Sequence, residues 1–193
     1  MTITTIPVGE LATNCYLLQK DDASPVVLID PGADPESIVR AVHRRPVAAI
    51  LLTHGHFDHI GAIDALPDAP LYIHELDAEM LMDGRKNGAY SLGFEGLCRR
   101  KAIPVREGDT LTLGGIAFTV LHTPGHTRGS VTYQTEDALF TGDTLFHRGY
   151  GRTDLYGGSF ADIRVSLRRL LSLPSALRFY PGHGPSATLE QER

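Results

Sequence analysis

The densest chemistry in the sequence is Thr53-His54-Gly55-His56-Phe57-Asp58-His59, which puts three imidazoles and one carboxylate within six residues. Imidazole and carboxylate are metal ligands. At this spacing they converge on an ion only if the chain folds back on itself, which Gly55 permits. A solvated His-rich loop would have the same composition. Three other segments weigh against that blander reading: Pro124-Gly125-His126, Gly142-Asp143 and Pro181-Gly182-His183 each set one ligand-type residue on a Gly-marked turn.

Such turns need elements to aim them. Strands are expected near Ile3 to Val8, Asn14 to Gln19 and Val26 to Asp30, the last closed by Pro31-Gly32. Asp34-Pro35-Glu36 supplies an N-cap, a proline at the first helical position and an early carboxylate, opening a helix to about Arg44 that Pro46 stops. Val47 to Thr53 is a continuous apolar run, as in a strand buried on both faces, and His54 follows at its carboxyl end, where open α/β sheets place their sites. A helix is expected from His74 to Met82, then a Gly-rich irregular segment from Asp83 to about Leu97 that reads as a lid or substrate loop. Strands at Thr110 to Leu113 and Ile116 to Leu121 flank Gly114-Gly115, a hairpin turn. Val131 to Thr135 and Ala138 to Phe140 form a second short-turn pair that ends at Thr141-Gly142-Asp143. Phe160 to Leu171 has helical apolar spacing, and a last strand, Leu177 to Tyr180, delivers Pro181-Gly182-His183. Each His or Asp cluster therefore follows a strand, which suggests one shared site.

The 193 residues carry 42% hydrophobic and 21% charged side chains, which excludes disordered, collagen-like and coiled-coil classes. No repeat or linker divides them, so one domain over 1–193 is expected. A net charge of -5 gives no global attraction to nucleic acid or to an anionic membrane, and no apolar run reaches the length of a membrane span. The amino end lacks the pattern of a secretory leader, and Cys15 and Cys98 make no disulfide framework, so a reducing cytoplasmic location is expected.

In order, HGHFDH, PGHT, FTGD and PGHG resemble the metallo-β-lactamase fold superfamily across essentially the whole chain. Within it, GDTLF, GYGRTD and the closing PGHGP are similar to the glyoxalase II-like hydroxyacylglutathione hydrolase branch. The resemblance implies a four-layer αββα sandwich: two facing mixed sheets, helices outside, metals at one edge. Carried over by position, it puts one ion on His54, His56 and His126 and a second on Asp58, His59 and His183, with Asp143 bridging. Asp58 and Asp143 are then the catalytic residues, beside a hydroxide shared by two cations about 3.5–4 Å apart. This donor set suits Zn²⁺ first, with Fe or Mn as alternatives, rather than Ca²⁺ or Mg²⁺. A thioester is a fitting substrate, because a thiolate leaves without a strong general acid.

In the GYGRTD segment, the resemblance implies that Arg152 contacts an anionic or amide part of a thiol carrier, with Tyr150 beside it. The residues alone equally allow an Arg152–Asp154 pair that holds the loop. His43 reads as a surface residue, His74 and His122 as packing or hydrogen-bonding residues, and His147 as one that could face the cleft. Arg99-Arg100-Lys101 reads as a solvated run that adds attraction for an acidic substrate if the preceding loop covers the site. The expected reaction is hydrolysis of a hydroxyacyl thioester such as S-lactoylglutathione. The carrier thiol is left open, because the chain ends at Arg193 without the helical extension typical of glyoxalase II. A one-iron persulfide dioxygenase is the alternative enzyme, and a noncatalytic metal-binding module the alternative from another class.

Overall fold

Period-two alternation in the strands assigns the layers of the computed structural model, which describes residues 1–193. In β2 (Thr13–Gln19), Cys15 and Leu17 enter one apolar cluster while Tyr16 and Leu18 enter another. In β3 (Val26–Ile29), Val26 and Leu28 divide in the same way from Val27 and Ile29. These two strands are buried on both faces, so their side chains serve two separate cores.

The first sheet runs β1 (Thr2–Val8), β2, β3, β4 (Val47–Leu51), β5 (Leu71–His74) and β6 (Ala102–Val105) in sequence order. It is antiparallel from β1 to β3 and parallel from β3 to β6. The second sheet contains β7 (Thr110–Leu113), β8 (Ile116–His122), β9 (Val131–Gln134), β10 (Ala138–Gly142), β11 (Arg178–Pro181) and β12 (Ala187–Thr188). Only its β10–β11 pair is parallel. Tyr16, Ile29 and Leu51 meet Phe118, Tyr133 and Phe140 between the sheets. Outside them, α1 (Pro35–Val42) buries Ile38 and Val42 on the first sheet, and α3 (Phe160–Leu171) buries Leu170 against Leu139 and Phe179 of the second. The expected αββα sandwich is the observed architecture. Full burial of a Leu, Ile or Phe stabilises by roughly 1.5–3 kcal/mol, and three clusters hold such residues. No helix is long and apolar enough to cross a membrane.

Several local expectations are corrected. The segment expected as a helix from His74 to Met82 is instead the end of β5 followed by a 3₁₀ turn, Ala78–Met82. Only His74 of that segment is in the strand, paired with Val105 of β6, and after it the Asp77, Met80 and Asp83 amides each donate to the carbonyl three residues back, so the chain continues in 3₁₀-type turns instead of an α-helix. β6 contains Pro104, which is tolerated because β6 is an edge strand. Asp34 does not cap α1: its carboxylate accepts instead from the Gly9 amide at 2.9 Å. That helix stops at Val42, because His43 and Arg44 take positive φ values of 50° and 62°. Gly114 and Gly115 both have positive φ, as the expected hairpin turn requires.

Candidate metal centre

The carboxyl edges of β4 and β10, the β8–β9 connection and the end of β11 open toward one point. After β4 the chain turns through His54-Gly55-His56 into a short helix, α2 (Phe57–Ile60), which carries Asp58 and His59 on its first turn. His126 comes from the β8–β9 loop, Asp143 follows β10 and His183 follows β11. Among these side chains, one group is His54, His56 and His126, a second is Asp58, His59 and His183, and a third is His54, His59 and Asp143. In each group the potential ligand atoms lie within 4.8 Å of one another. Asp143 Oδ1 lies 3.4 Å from His59 Nε2, and its Oδ2 lies 3.5 Å from the Nε2 atoms of both His126 and His183. All seven residues proposed from the sequence as ligands are thus brought together.

Close approach explains two of the marked glycines. A Cβ on Gly182 would sit 2.1 Å from Asp143 Oδ1, in the heart of the cluster. One on Gly125, whose φ is +133°, would meet the Ile163 amide of α3 at 2.2 Å. The backbone therefore packs where no side chain fits.

The ring nitrogens that face away from the cluster are held. His59 Nδ1 pairs with Asp30 Oδ2 at 3.0 Å, His126 Nδ1 donates to the Arg152 carbonyl at 2.7 Å, and His183 Nδ1 donates to the Leu11 carbonyl at 3.0 Å. Asp30 also accepts from the Thr53 amide and hydroxyl. Such partners fix the ring orientation and the nitrogen left for a ligand. Asp77, fully buried, accepts from the Gly55 amide, the Thr127 hydroxyl and the Gly129 amide, joining the two histidine loops. Thr13 donates to Asp58 Oδ2 at 2.9 Å. Asp30, Asp77 and Thr13 escaped the sequence reading. Only Asp30, an acid closing an apolar strand, left a readable signal.

Electrostatics divide the cluster. Burial, followed by the neighbouring imidazoles, holds His54 well below the usual histidine range. Burial and then His126 push His56 down to about 3. Burial works against ionisation of Asp58, yet His59 and His183 outweigh it and hold the carboxyl below the ordinary range. His59 is opposed by burial but raised by Asp58, Asp143 and Asp30. His54 and His56 are thus held in the neutral state that metal binding requires, whereas His59 and His183, raised by the neighbouring carboxylates, would release a proton when an ion binds.

The chemistry of the donors fits cations. Nε2 of His54, His56 and His59 and Oδ1 of Asp143 are buried without any hydrogen-bond partner, a costly arrangement that a bound ion relieves. Nitrogen and carboxylate oxygen in this mixture suit zinc, iron or manganese.

The other singled-out residues sit elsewhere or serve the frame. Arg152 lines the cluster's cavity, and its exposed guanidinium forms two bonds to Asp154, at 2.7 and 2.8 Å. Tyr150 is exposed and tilts over Phe160, outside the residues that line this cavity. His147 pairs with Glu192 rather than facing the cleft, and His74 stacks on His122. His43 is exposed at the end of α1. Arg100 anchors on the Leu66 and Pro67 carbonyls, away from the cleft. The Asp83–Leu97 segment does border the site, through Asn87, Gly88, Ser91 and Leu92.

A model of the Metallo-beta-lactamase superfamily matches residues 8–183. A probable metallo-hydrolase of Bacillus subtilis is 38% identical over 197 residues, covering 97% of this chain and 92% of that protein. A hydroxyacylglutathione hydrolase of Haemophilus influenzae is 33% identical over 205 residues, covering 100% and 95%. Among solved structures, the BLEG-1 B3 metallo-beta-lactamase superposes with a TM-score of 0.92 at 40% identity, over 99% of this chain and 96% of that one. TTHA1623 in a di-iron-bound form gives 0.87 at 38%, over 98% and 96%, and ETHE1 from Myxococcus xanthus gives 0.78 at 31%, over 100% and 81%. With the sandwich, the four loops and these likenesses in agreement, the chain belongs to the metallo-beta-lactamase superfamily.

Proposed function

We propose that this chain is a binuclear metal-dependent thioesterase of the glyoxalase II type, cleaving a hydroxyacyl thioester such as S-lactoylglutathione to hydroxy acid and thiol. The observation that carries the reading is the completeness of two donor groups, His54-His56-His126 and Asp58-His59-His183, with Asp143 in reach of both. A pair of divalent cations, zinc in this reading with iron or manganese as alternatives, would polarise the scissile carbonyl and lower the pKa of attacking water.

The chain's own residues hold and orient. Asp30 aims His59, the Arg152 carbonyl aims His126 and the Leu11 carbonyl aims His183. Asp58, kept ionised by His59 and His183, stays an acceptor at the catalytic edge. Arg152, on the cavity wall, would meet an anionic part of the carrier thiol, with its bonds to Asp154 presetting the guanidinium. The Haemophilus protein bearing the hydroxyacylglutathione hydrolase name supports the branch, since this chain spans 95% of its length. The di-iron form of TTHA1623 supports a two-ion centre.

The likeness to ETHE1 favours a second reading, a one-iron persulfide dioxygenase. His183 separates the two. Purified wild type and His183→Ala are reconstituted with metal and assayed for metal content, S-lactoylglutathione hydrolysis and persulfide-dependent oxygen uptake. We expect two ions in the wild type, and a loss of the second ion with about 10²-fold or more of the hydrolysis rate in the variant, the upper range for disturbed metal surroundings. Persulfide-dependent oxygen uptake that ignores His183, with negligible thioester hydrolysis, overturns the proposal.

A further inference from the structure

Two cavities meet at the cluster, and their linings differ. The first, about 300 Å³, contains His56, His126, Asp143, His183 and Arg152. The second, about 290 Å³, lies beyond Leu11 and Phe57 and carries no Arg, Lys or His. Both are bordered by Leu11, Phe57 and Asp58, so the second adjoins the reacting centre on its Asp58 side.

The side chains of Val8, Leu11, Ala33, Phe57 and Phe94 make the second cavity apolar. Phe57 and Phe94 stack at 5.2 Å with their planes 19° apart, forming one wall. That wall is built in: the Phe57 amide donates to the Asn87 carbonyl, and the Asn87 amide nitrogen donates to the Gly96 carbonyl at 2.7 Å. Two exposed carboxylates, Glu10 and Glu95, border the cavity, and Asp34 accepts from the Gly9 amide at its edge. Nothing on this side favours an anion.

A thioester has two arms, one on each side of its carbonyl carbon. The cationic guanidinium of Arg152 suits an anionic carrier thiol in the first cavity, which leaves the acyl arm for the second. We infer that the Val8–Ala33–Phe94 cavity is an acyl pocket for a neutral, apolar chain larger than lactoyl. Its volume of about 290 Å³ exceeds what a three-carbon lactoyl group fills at about 30 Å³ per small group, near the liquid share of one water. This assignment rests on the thioesterase reading, but it is tested by binding, without turnover.

The carboxylate products lactate, butanoate, hexanoate and adipate are titrated by calorimetry into metal-loaded wild type, Ala33→Phe and Phe94→Ala. Affinity for the wild type should rise about fourfold per methylene from butanoate to hexanoate, the gain expected for burial of each group. Adipate should lose that gain, because its second carboxylate enters the Glu10–Glu95 border. Ala33→Phe fills the pocket and should bring the hexanoate-to-lactate ratio toward one, and Phe94→Ala should reduce it by opening the wall. A flat wild-type series, adipate binding as tightly as hexanoate, or a hexanoate gain that survives both substitutions overturns the pocket, even if S-lactoylglutathione is hydrolysed well. Absence of thioester hydrolysis alongside the graded binding would instead count against the thioesterase reading and leave the pocket standing.

Discussion

Asp143 reaches nitrogen atoms from three segments, those of His59 on α2 and of His126 and His183 on loops, through its two oxygens. His126 belongs to one donor group and His59 and His183 to the other, so this one carboxylate touches both. Asp143→Ala should therefore lower metal content from about two ions per chain, the number a bridged site holds, to below one. His43→Ala, at the exposed end of α1, should retain the wild-type content. Elemental analysis of the two purified variants decides it, and equal metal content would remove Asp143 from the bridging position. The orphaned Nε2 atoms of His54, His56 and His59 account for the sensitivity, because nothing else in the chain satisfies them.

Among the elements, α3 does more than cover the second sheet. Its N-terminus is capped by the Ser159 hydroxyl, which accepts from the Asp162 amide, while the Ser159 amide donates to the Gly125 carbonyl at 2.8 Å. Ser166 of the same helix donates to the Pro124 carbonyl at 2.7 Å. The loop that presents His126 is thus seated on a helix end, with no space between Gly125 and Ile163. Gly125→Ala should force that contact apart, cost more than about 1 kcal/mol and reduce metal binding. Ser159→Ala should cost about 1 kcal/mol through the cap alone and keep the metals. Thermal melting with metal analysis on both variants tells them apart; a Gly125→Ala protein that melts and binds metal as wild type does would mean that the seat is unimportant.

At the scale of the whole molecule, the sheets are joined at one end by a stacked pair: His74 of β5 lies on His122 of β8 at 4.3 Å with planes 9° apart. Burial, then the His122 charge, pushes His74 down to about 4. An unfolded histidine titrates near 6.5, so the unfolded chain binds this proton more readily. The resulting stability is fully present above about pH 6.5 and is lost as pH falls toward about 4. Buried His54 and His56 act in the same direction, so the difference between two proteins is the useful quantity. Denaturant unfolding at about pH 7 and about pH 5 should show a smaller acid-induced loss for His74→Gln than for wild type. Equal losses would mean that the stack carries no such linkage.

The seven ligand-type residues are legible from the chain's local patterns, because glycine-marked turns after apolar strands are features that composition and spacing display. So are most strands, the hairpin at Gly114-Gly115 and the amphipathic face of α3, since each is a short-range pattern. That Leu71–His74 is a strand follows from pairing with β4 and β6, which exists only once the sheet is formed. The same holds for Asp30 and Asp77, whose partners Thr53, His59, Gly55, Thr127 and Gly129 are distant in the chain. Asp34 looked like a helix cap and became a tie to Gly9, because a carboxylate takes the donor that folding brings to it. The second cavity, too, was invisible beforehand, since Val8, Ala33, Phe57 and Phe94 share a wall only after β1, α2 and the Gly-rich segment have packed together.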